Sequence, residues 1–325
     1  MNLALENVEL KQDEEIAAAP QARGPHVPRA MLKELSVVSP WRSPLQLALE
    51  LGAIGAAALV SHLFWHPILY ALAVIWIGSR QHAIWALIHD AAHSLIHKNR
   101  FVNDCFGEFM GWIIFVDFAH DRATHMDHHR YLTSDKDPES KLTTLPFRMH
   151  SISGFYFVWF MIQYSFGWLA IGVMSQFLLR IWKSLNPKCL LRTRVRVVLN
   201  LCVIALFVIY PPLFKYVCLY WFVPFFTWKP LSMQIRGLAE HHGLDGDSPV
   251  QLTRNTRATL FDKLFISPNN LNYHNAHHIF ASVPWYNLPK LNSKLEECPV
   301  FTKEGAYEKD GYLHFLRNFW KRWTV

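Results

Sequence analysis

The sequence predicts an all-α integral membrane protein, with about four transmembrane helices in two hairpins and a histidine-rich helical cap on the cytosolic side. Three observations predict this class. Hydrophobic residues make up 51% and aromatic residues 14% of the 325 residues. Several apolar runs are long enough to cross a hydrocarbon core of ~30 Å. Histidines cluster in short polar stretches next to those runs.

The charge and cysteine content exclude other classes. The net charge is +7, but the basic residues flank apolar segments and do not form one patch with interleaved aromatics. This distribution is typical of the positive-inside rule and argues against nucleic acid as a partner. The five cysteines are odd in number and contain no CxxC. We therefore expect no disulfide framework and no zinc knuckle, and thiols that face a reducing compartment or lipid.

The first hairpin follows a polar N-terminal segment. Residues 1–40 are of mixed charge without the apolar core of a signal peptide, which predicts a mobile cytosolic tail. Spans are predicted over residues 45–65 and 68–88, joined at His66-Pro67. Each run of about 20 residues crosses the bilayer once and the pair returns the chain to its starting side.

Two further apolar segments are predicted not to cross. The run 101–116 is too short and too polar, so it is expected to be interfacial or re-entrant. Residues 154–179 are expected to behave likewise, because the basic stretch that follows belongs in the cytosol. A second hairpin, 197–210 and 213–228, then completes a membrane domain over residues 41–298. Residues 299–325 are predicted to form a cytosolic tail, and a model with five or six spans is the alternative.

Eight histidines occur in three clusters at helical ligand spacing. Positions i, i+3 and i+4 share one helix face, and neutral imidazole is the commonest metal ligand among side chains near neutral pH. So many nitrogens suit two metal ions with open positions better than one. The sequence therefore predicts these metal ligands: His89 and His93 in HDAAH, His125, His128 and His129 in HMDHH, and His274, His277 and His278 in HNAHH.

Two other classes are less consistent with these clusters. HDAAH is similar to the HExxH helix of zinc proteases, but Asp90 follows the first histidine and a zinc site with three protein ligands leaves five histidines unexplained. A transporter with intramembrane histidines is disfavoured because the clusters lie in polar segments at helix ends.

The three motifs together resemble the membrane fatty acid desaturase superfamily, which also contains hydroxylases and carotenoid ketolases. They are HDxxH, HxxHH followed by DPE, and HxxHH followed by VPWYNLPKL, between about His82 and Leu291. Ala281 departs from the proline of many relatives. Front-end desaturases have glutamine at the position of His274.

The resemblance implies a centre of two iron ions, O₂ as a co-substrate and a separate electron donor. The sequence contains no HPGG haem motif and no cysteine cluster, so the donor is expected to be a separate ferredoxin or cytochrome b5. The basic stretch 180–196 is a candidate docking surface for this donor. Relatives supply an additional ligand before the last motif, which implies His241, with His242 as the alternative. Carboxylates are expected to accept the free ring N–H of ligands, the candidates being Asp90, Asp127, Asp135, Asp137 and Glu240.

The motifs leave the substrate open. Desaturation and hydroxylation begin with the same hydrogen abstraction and differ in the fate of the radical. Desaturation of an acyl lipid is the favoured prediction, with a lipid or lipophilic substrate reached from the bilayer and an active site that faces the cytosol. Hydroxylation or ketolation of a lipid or carotenoid, and desaturation of a small non-lipid metabolite, are the alternatives.

Overall fold

The computed structural model describes residues 25–139, 191–308 and 310–323, together with the single positions 162, 175 and 179. The predicted interfacial segment 154–179 and most of the basic stretch 180–196 lie outside the described residues. The described part of the chain is mostly helical.

Two long helices occupy the region of the predicted first hairpin. A short helix α1 (Arg29–Leu35) precedes α2 (Arg42–Leu63) and α3 (Pro67–Ala92). Proline fits the first position of α3, where the missing N–H costs nothing, and the ring of His66 accepts a hydrogen bond from the next free backbone N–H at 3.3 Å. At 22 and 26 residues, α2 and α3 are about 33 and 39 Å long. Both are long and apolar enough to cross a membrane.

Helix α3 is the centre of the molecule. Residues 77–92 are buried on every side of the helix, with the single exception of Trp85. The acid that the sequence places inside α2, Glu50, is buried and lies 3.2 Å from the guanidinium of Arg80 on α3. Arg80 also donates to the backbone carbonyl of Leu264. A buried charge needs such partners, so this pair fixes the two helices against each other.

Helices α4 (Arg100–Ile113) and α5 (Phe118–Tyr131) follow. Each has 14 residues, about 21 Å, which is shorter than the hydrocarbon core. Met110 and Ile114 pack into the same core as α3, whereas Phe101 is 77% exposed. The described structure thus agrees with the expectation that the run 101–116 does not form a span.

The second apolar region is bent. It contains α6 (Leu191–Ile209), α7 (Pro211–Val217), a π-helical turn (Cys218–Phe222), α8 (Val223–Phe226) and α9 (Trp228–His241). The chain turns by 117° at the break between Ile209 and Pro211. Within the described residues there are therefore two continuous candidate spans, or up to three if the bent pair counts as one. The four-span arrangement stays a prediction.

The remaining residues form a cap that holds the last histidine motif. Two three-residue strands pair in parallel, with Arg254 opposite Ala306 and Thr256 opposite Glu308. The elements of the cap are α10 (Pro249–Leu252), β1 (Arg254–Thr256), α11 (Leu260–Phe265), a 3₁₀ turn (Leu271–Tyr273), α12 (His274–Ile279), a second 3₁₀ turn (Trp285–Asn287), α13 (Leu288–Leu295), α14 (Pro299–Glu304), β2 (Ala306–Glu308) and α15 (Gly311–Trp323).

Both predicted tails contribute to this cap where the structure describes them. In the segment 25–40, Val27 and Leu35 are buried in the cluster around α13, and the backbone N–H of Ser39 donates to the hydroxyl of Tyr286 at 2.7 Å. At the C-terminus, Phe301 and Tyr312 are fully buried. These residues are packed parts of the fold. For the segment 25–40 this differs from the mobile tail that the sequence predicts.

Candidate metal centre

The first histidine motif lies at the end of the central helix. His89 occupies the last turn of α3 and His93 is its C-terminal cap residue. The carboxylate of Asp90 between them accepts a hydrogen bond from the backbone N–H of Trp285 at 2.9 Å. This bond ties the first motif to the VPWYNLPKL stretch that follows the third.

The second motif lies on α5, which begins at a capping residue. The side chain of Asp117 accepts from the backbone N–H of His120 at 3.2 Å, which satisfies one free donor of the first turn. His125 and His129 are four residues apart and share a face, whereas His128 is rotated away from His125 toward the other side of the site.

The third motif lies on α12, a helix of only six residues, too short to be stable alone. Buried asparagines hold it in place. The side chain of Asn275 donates to the carbonyls of Val250 and Thr253 at 2.8 and 2.7 Å, and Asn255 accepts from the backbone N–H of Asn275 at 2.8 Å. The chain enters this region through Asn269 and Asn270, both with positive φ, which asparagine tolerates better than most residues.

Helices α3, α5, α9 and α12 bring nine histidines into two adjacent groups. Within each group the potential ligand atoms lie within 4.8 Å of one another. The five-histidine group comprises His89, His93, His125, His129 and His277, and the four-histidine group comprises His128, His241, His274 and His278. His242, the alternative to His241, belongs to neither group. It caps α9 with extended backbone.

The two HxxHH motifs exchange their middle histidines between the groups. In α5 the outer pair, His125 and His129, joins the five-histidine group and His128 joins the other. In α12 the outer pair, His274 and His278, joins the four-histidine group and His277 crosses to the first. The groups are interlocked through both helices, and the rings of His129 and His278 stack at 4.2 Å between centroids.

The ring nitrogens are spaced as a metal ion requires. The Nε2 of His125 lies 2.9 Å from Nε2 of His93 and 3.0 Å from Nε2 of His129. In the other group the Nε2 atoms of His241 and His274 are 2.8 Å apart. Two nitrogens at right angles on one ion, each at about 2.0–2.1 Å, are separated by about 2.9 Å. Within the two groups, three more buried Nε2 atoms have no hydrogen-bond partner among the described residues, those of His89, His128 and His278.

Carboxylates lie behind several rings, on the Nδ1 side. The Nδ1 of His128 is 3.0 Å from Asp137, Nδ1 of His125 is 3.1 Å from Glu139, and Nδ1 of His274 is 3.5 Å from Glu240. A ring that donates from Nδ1 presents its Nε2 lone pair to the centre, so the hydrogen bonds of His128 and His125 fix both tautomer and orientation.

Some of the carboxylates that the sequence suggests contact candidate ligands in the structure, and others are exposed. Asp137 and Glu240 contact candidate ligands, whereas Asp127 and Asp135 are exposed. Asp90 lies 3.8 Å from Nδ1 of the adjacent His89. Glu139 was missed, although it is the last residue of the DPE stretch and its backbone N–H donates to Asp137 at 2.9 Å.

The surroundings keep most of these rings neutral. Burial lowers the pKa of His274, His277 and His278 well below the usual range, and it lowers the pKa of His129 to about 3. At His128 burial acts in the same direction, but Glu139 and Asp137 outweigh it and raise the pKa. Neutral imidazole is the metal-binding form.

Two other histidines near the first motif lie outside both groups. His82, two turns before His89, is fully buried and hydrogen-bonds through Nδ1 to the hydroxyl of Ser232 at 2.9 Å. His97 accepts through Nδ1 from the backbone N–H of Asn99 at 3.0 Å. Their contacts agree with the expectation that neither is a ligand.

Helices long and apolar enough to cross a membrane, next to two interlocked sets of histidine nitrogens that could hold metal ions, define a candidate metal centre of the histidine-motif type. Residues 63–309 match the fatty acid desaturase family. The chain belongs to this family and is a desaturase-type oxidoreductase. It is also similar to a dihydrorhizobitoxine desaturase from Bradyrhizobium elkanii, with 27% identity over 260 residues that cover 73% of this chain and 71% of the relative.

Proposed function

We propose that the chain is an O₂-dependent di-iron desaturase of the membrane, with an acyl lipid as the favoured substrate. The observation that carries this proposal is the pair of adjacent groups of five and four histidines. Nitrogen donors suit iron, zinc and copper, and two complete sets exceed the three protein ligands of a catalytic zinc site.

Each part of the chain has a defined task in this proposal. Two bound iron ions would supply, with O₂, the oxidising power for an unactivated C–H bond, which no side chain provides. Asp137 and Glu139 hold the tautomers of His128 and His125. The burial of His128 and His277 excludes bulk water from the centre, which limits side reactions.

Two other substrate types stay open under this proposal. A hydroxylase or ketolase of a lipid or carotenoid uses the same first hydrogen abstraction. Desaturation of a small metabolite is favoured by one observation, because the similar protein from Bradyrhizobium elkanii is named for dihydrorhizobitoxine rather than for a fatty acid.

We expect purified protein to contain about two iron ions per chain, because both histidine groups are complete. Metal content is measured by mass spectrometry, and products are identified after expression in a host of defined lipid composition. Zinc in place of iron, or a protein that binds no metal, rules out the di-iron proposal. An oxygenated product in place of an alkene selects the hydroxylase alternative.

The proposed orientation has four spans with the metal centre facing the cytosol, as the positive-inside rule predicts. Electrons are proposed to come from ferredoxin or cytochrome b5 that docks there. Arg196, the last residue of the basic stretch proposed for docking, is buried and lies 3.4 Å from Glu108, so it does not belong to a docking surface.

After removal of the native cysteines, single cysteines introduced at Ser134 and Asp247 are expected to react with a membrane-impermeant reagent from the cytosolic side only. Both residues are exposed, and they lie near the second motif and in the cap. The matched control is a cysteine at Trp65, exposed in the turn between α2 and α3, which is expected to react only from the opposite side. Labelling of all three from one side contradicts the first hairpin.

A further inference from the structure

The C-terminus of α3 carries the first histidine motif and is held by side chains from two other helices. The last carbonyls of a helix have no partner within the helix, and the negative end of its dipole lies there. One of them is the carbonyl of Ala91, which stands between His89 and His93. It accepts hydrogen bonds from the side-chain amide of Asn103 on α4 at 2.9 Å and from the guanidinium of Arg122 on α5 at 3.0 Å. A single carbonyl therefore joins α3, α4 and α5.

Arg122 is itself fixed in position. Its Nη1 and Nη2 lie 3.2 and 2.5 Å from the two carboxylate oxygens of Asp104 on α4, a two-pronged contact that adds geometric specificity. Its guanidinium also lies over the ring of Phe118 at 4.5 Å, and only 19% of the side chain is exposed. These contacts leave the guanidinium little freedom, so its bond to the carbonyl of Ala91 fixes the distance between α5 and the end of α3.

Candidate ligands of one histidine group meet at this contact. His125 lies one turn after Arg122 on the same face of α5, and His89 and His93 flank Ala91 along α3. Between the two helices, the Nε2 atoms of His125 and His93 are 2.9 Å apart, and the ring centroids of His125 and His89 are 4.3 Å apart. All three histidines belong to the five-histidine group, and α3 contributes no member to the four-histidine group.

We propose that Arg122 is a positioning residue for the five-histidine group, which holds His125 at the distance from His89 and His93 that one metal ion requires. It acts through the carbonyl of Ala91 and is not itself a ligand. The inference rests on the proposed metal centre and extends it to a residue outside the three motifs. Methionine at this position makes neither the bond to the carbonyl nor the ion pair. Lysine keeps the charge but lacks the two-pronged donor.

The test titrates the metal-free full chain with Co²⁺, which nitrogen donors bind, and follows the visible absorption of the bound ion. The unaltered protein is expected to bind two ions, one in each histidine group. In Arg122→Met one ion should bind with unchanged affinity and the other about 10- to 100-fold more weakly, the cost of losing a residue that orients ligands. Arg122→Lys should recover part of this loss. The matched control is Arg130→Met, because Arg130 lies on the same helix but is exposed.

A double variant identifies the group that is affected. In His89→Ala the five-histidine group lacks one member, so the tighter ion occupies the four-histidine group. Adding Arg122→Met should leave the affinity of that tighter ion unchanged, because Arg122 acts on the other group.

Three outcomes overturn the inference. The first is normal affinity for both ions in Arg122→Met. The second is equal weakening of both ions, or loss of the fold, which shows that Arg122 stabilises the molecule as a whole. The third is a weaker tight ion in the double variant than in His89→Ala. A failure of the proposed metal centre differs from all three, since the unaltered protein then does not bind two ions, whereas the first outcome rejects only the role of Arg122.

Discussion

Replacing His129 with alanine is expected to abolish turnover and to lower bound iron at the same time. The Nε2 of His129 lies 3.0 Å from that of His125 and 3.1 Å from that of His277, and its ring stacks on His278 of the other group. Its loss opens a ligand position and loosens both groups. Loss of a residue that only orients a ligand costs about 10- to 100-fold, so we expect a decrease of more than about 100-fold here. The same result is expected for each of the other seven motif histidines.

The matched control is His120→Ala. His120 lies on the same helix as His129 but is exposed and belongs to neither group, so iron and turnover are expected to stay near normal. His62, His66 and His314, which also lie outside the groups, should tolerate the change, and His150, outside the described residues, is expected to do so. Iron content and product formation are measured on the same preparations. Near-normal values in several motif variants would show that the histidines do not hold the reactive metals.

Within each motif, the sequence could predict which histidines lie close together, because that information is local. Spacings of three and four residues fix a common helix face whatever the rest of the chain does. The helices of the first hairpin were predictable for a similar reason, since α2 and α3 are long, mainly apolar runs with a proline at the start of α3.

The division of the histidines into two groups could not be predicted. It depends on how α5 and α12 approach each other, which separates His128 from His125 and His277 from His274. Local spacing is identical in both motifs and carries no sign of this exchange. Glu139 was missed because a carboxylate 14 residues after His125 looks like an ordinary surface group until the chain turns back.

The packing of the chain ends could not be predicted because it depends on tertiary contacts. Strands β1 and β2 have three residues each, too few to show an alternating pattern. Tyr312 is buried in a mixed-charge segment, and its cluster with Ile235 and Leu238 forms only when α15 meets α9. The predicted span 213–228 contains the π-helical turn Cys218–Phe222, and apolar composition alone does not reveal such a break.

His241 lies outside the three histidine motifs, so its role as a ligand could not be predicted from spacing. Its position in the structure leads to a definite expectation. It ends α9, and its Nε2 lies 2.8 Å from Nε2 of His274. Without it the four-histidine group falls to three members, while the five-histidine group stays complete. His241→Ala is therefore expected to lose about half of the bound iron and to lose turnover, because ligand number decides whether an ion is retained.

His242→Ala is the matched comparison, since it removes the same ring one residue later and outside both groups. We expect it to keep its iron and most of its activity. Iron per chain and turnover, measured side by side, distinguish three roles for His241. If His241 is a ligand, the variant loses iron and activity together. If His241 only orients a ligand or a water, the variant loses about 10- to 100-fold in activity or metal affinity. If His241 only ends the helix, the variant loses about 1 kcal/mol of stability and retains its iron. Full iron and full activity in His241→Ala would show that this residue is not a ligand. The four-histidine group would then lack one nitrogen ligand, and a water or a carboxylate would be favoured in its place.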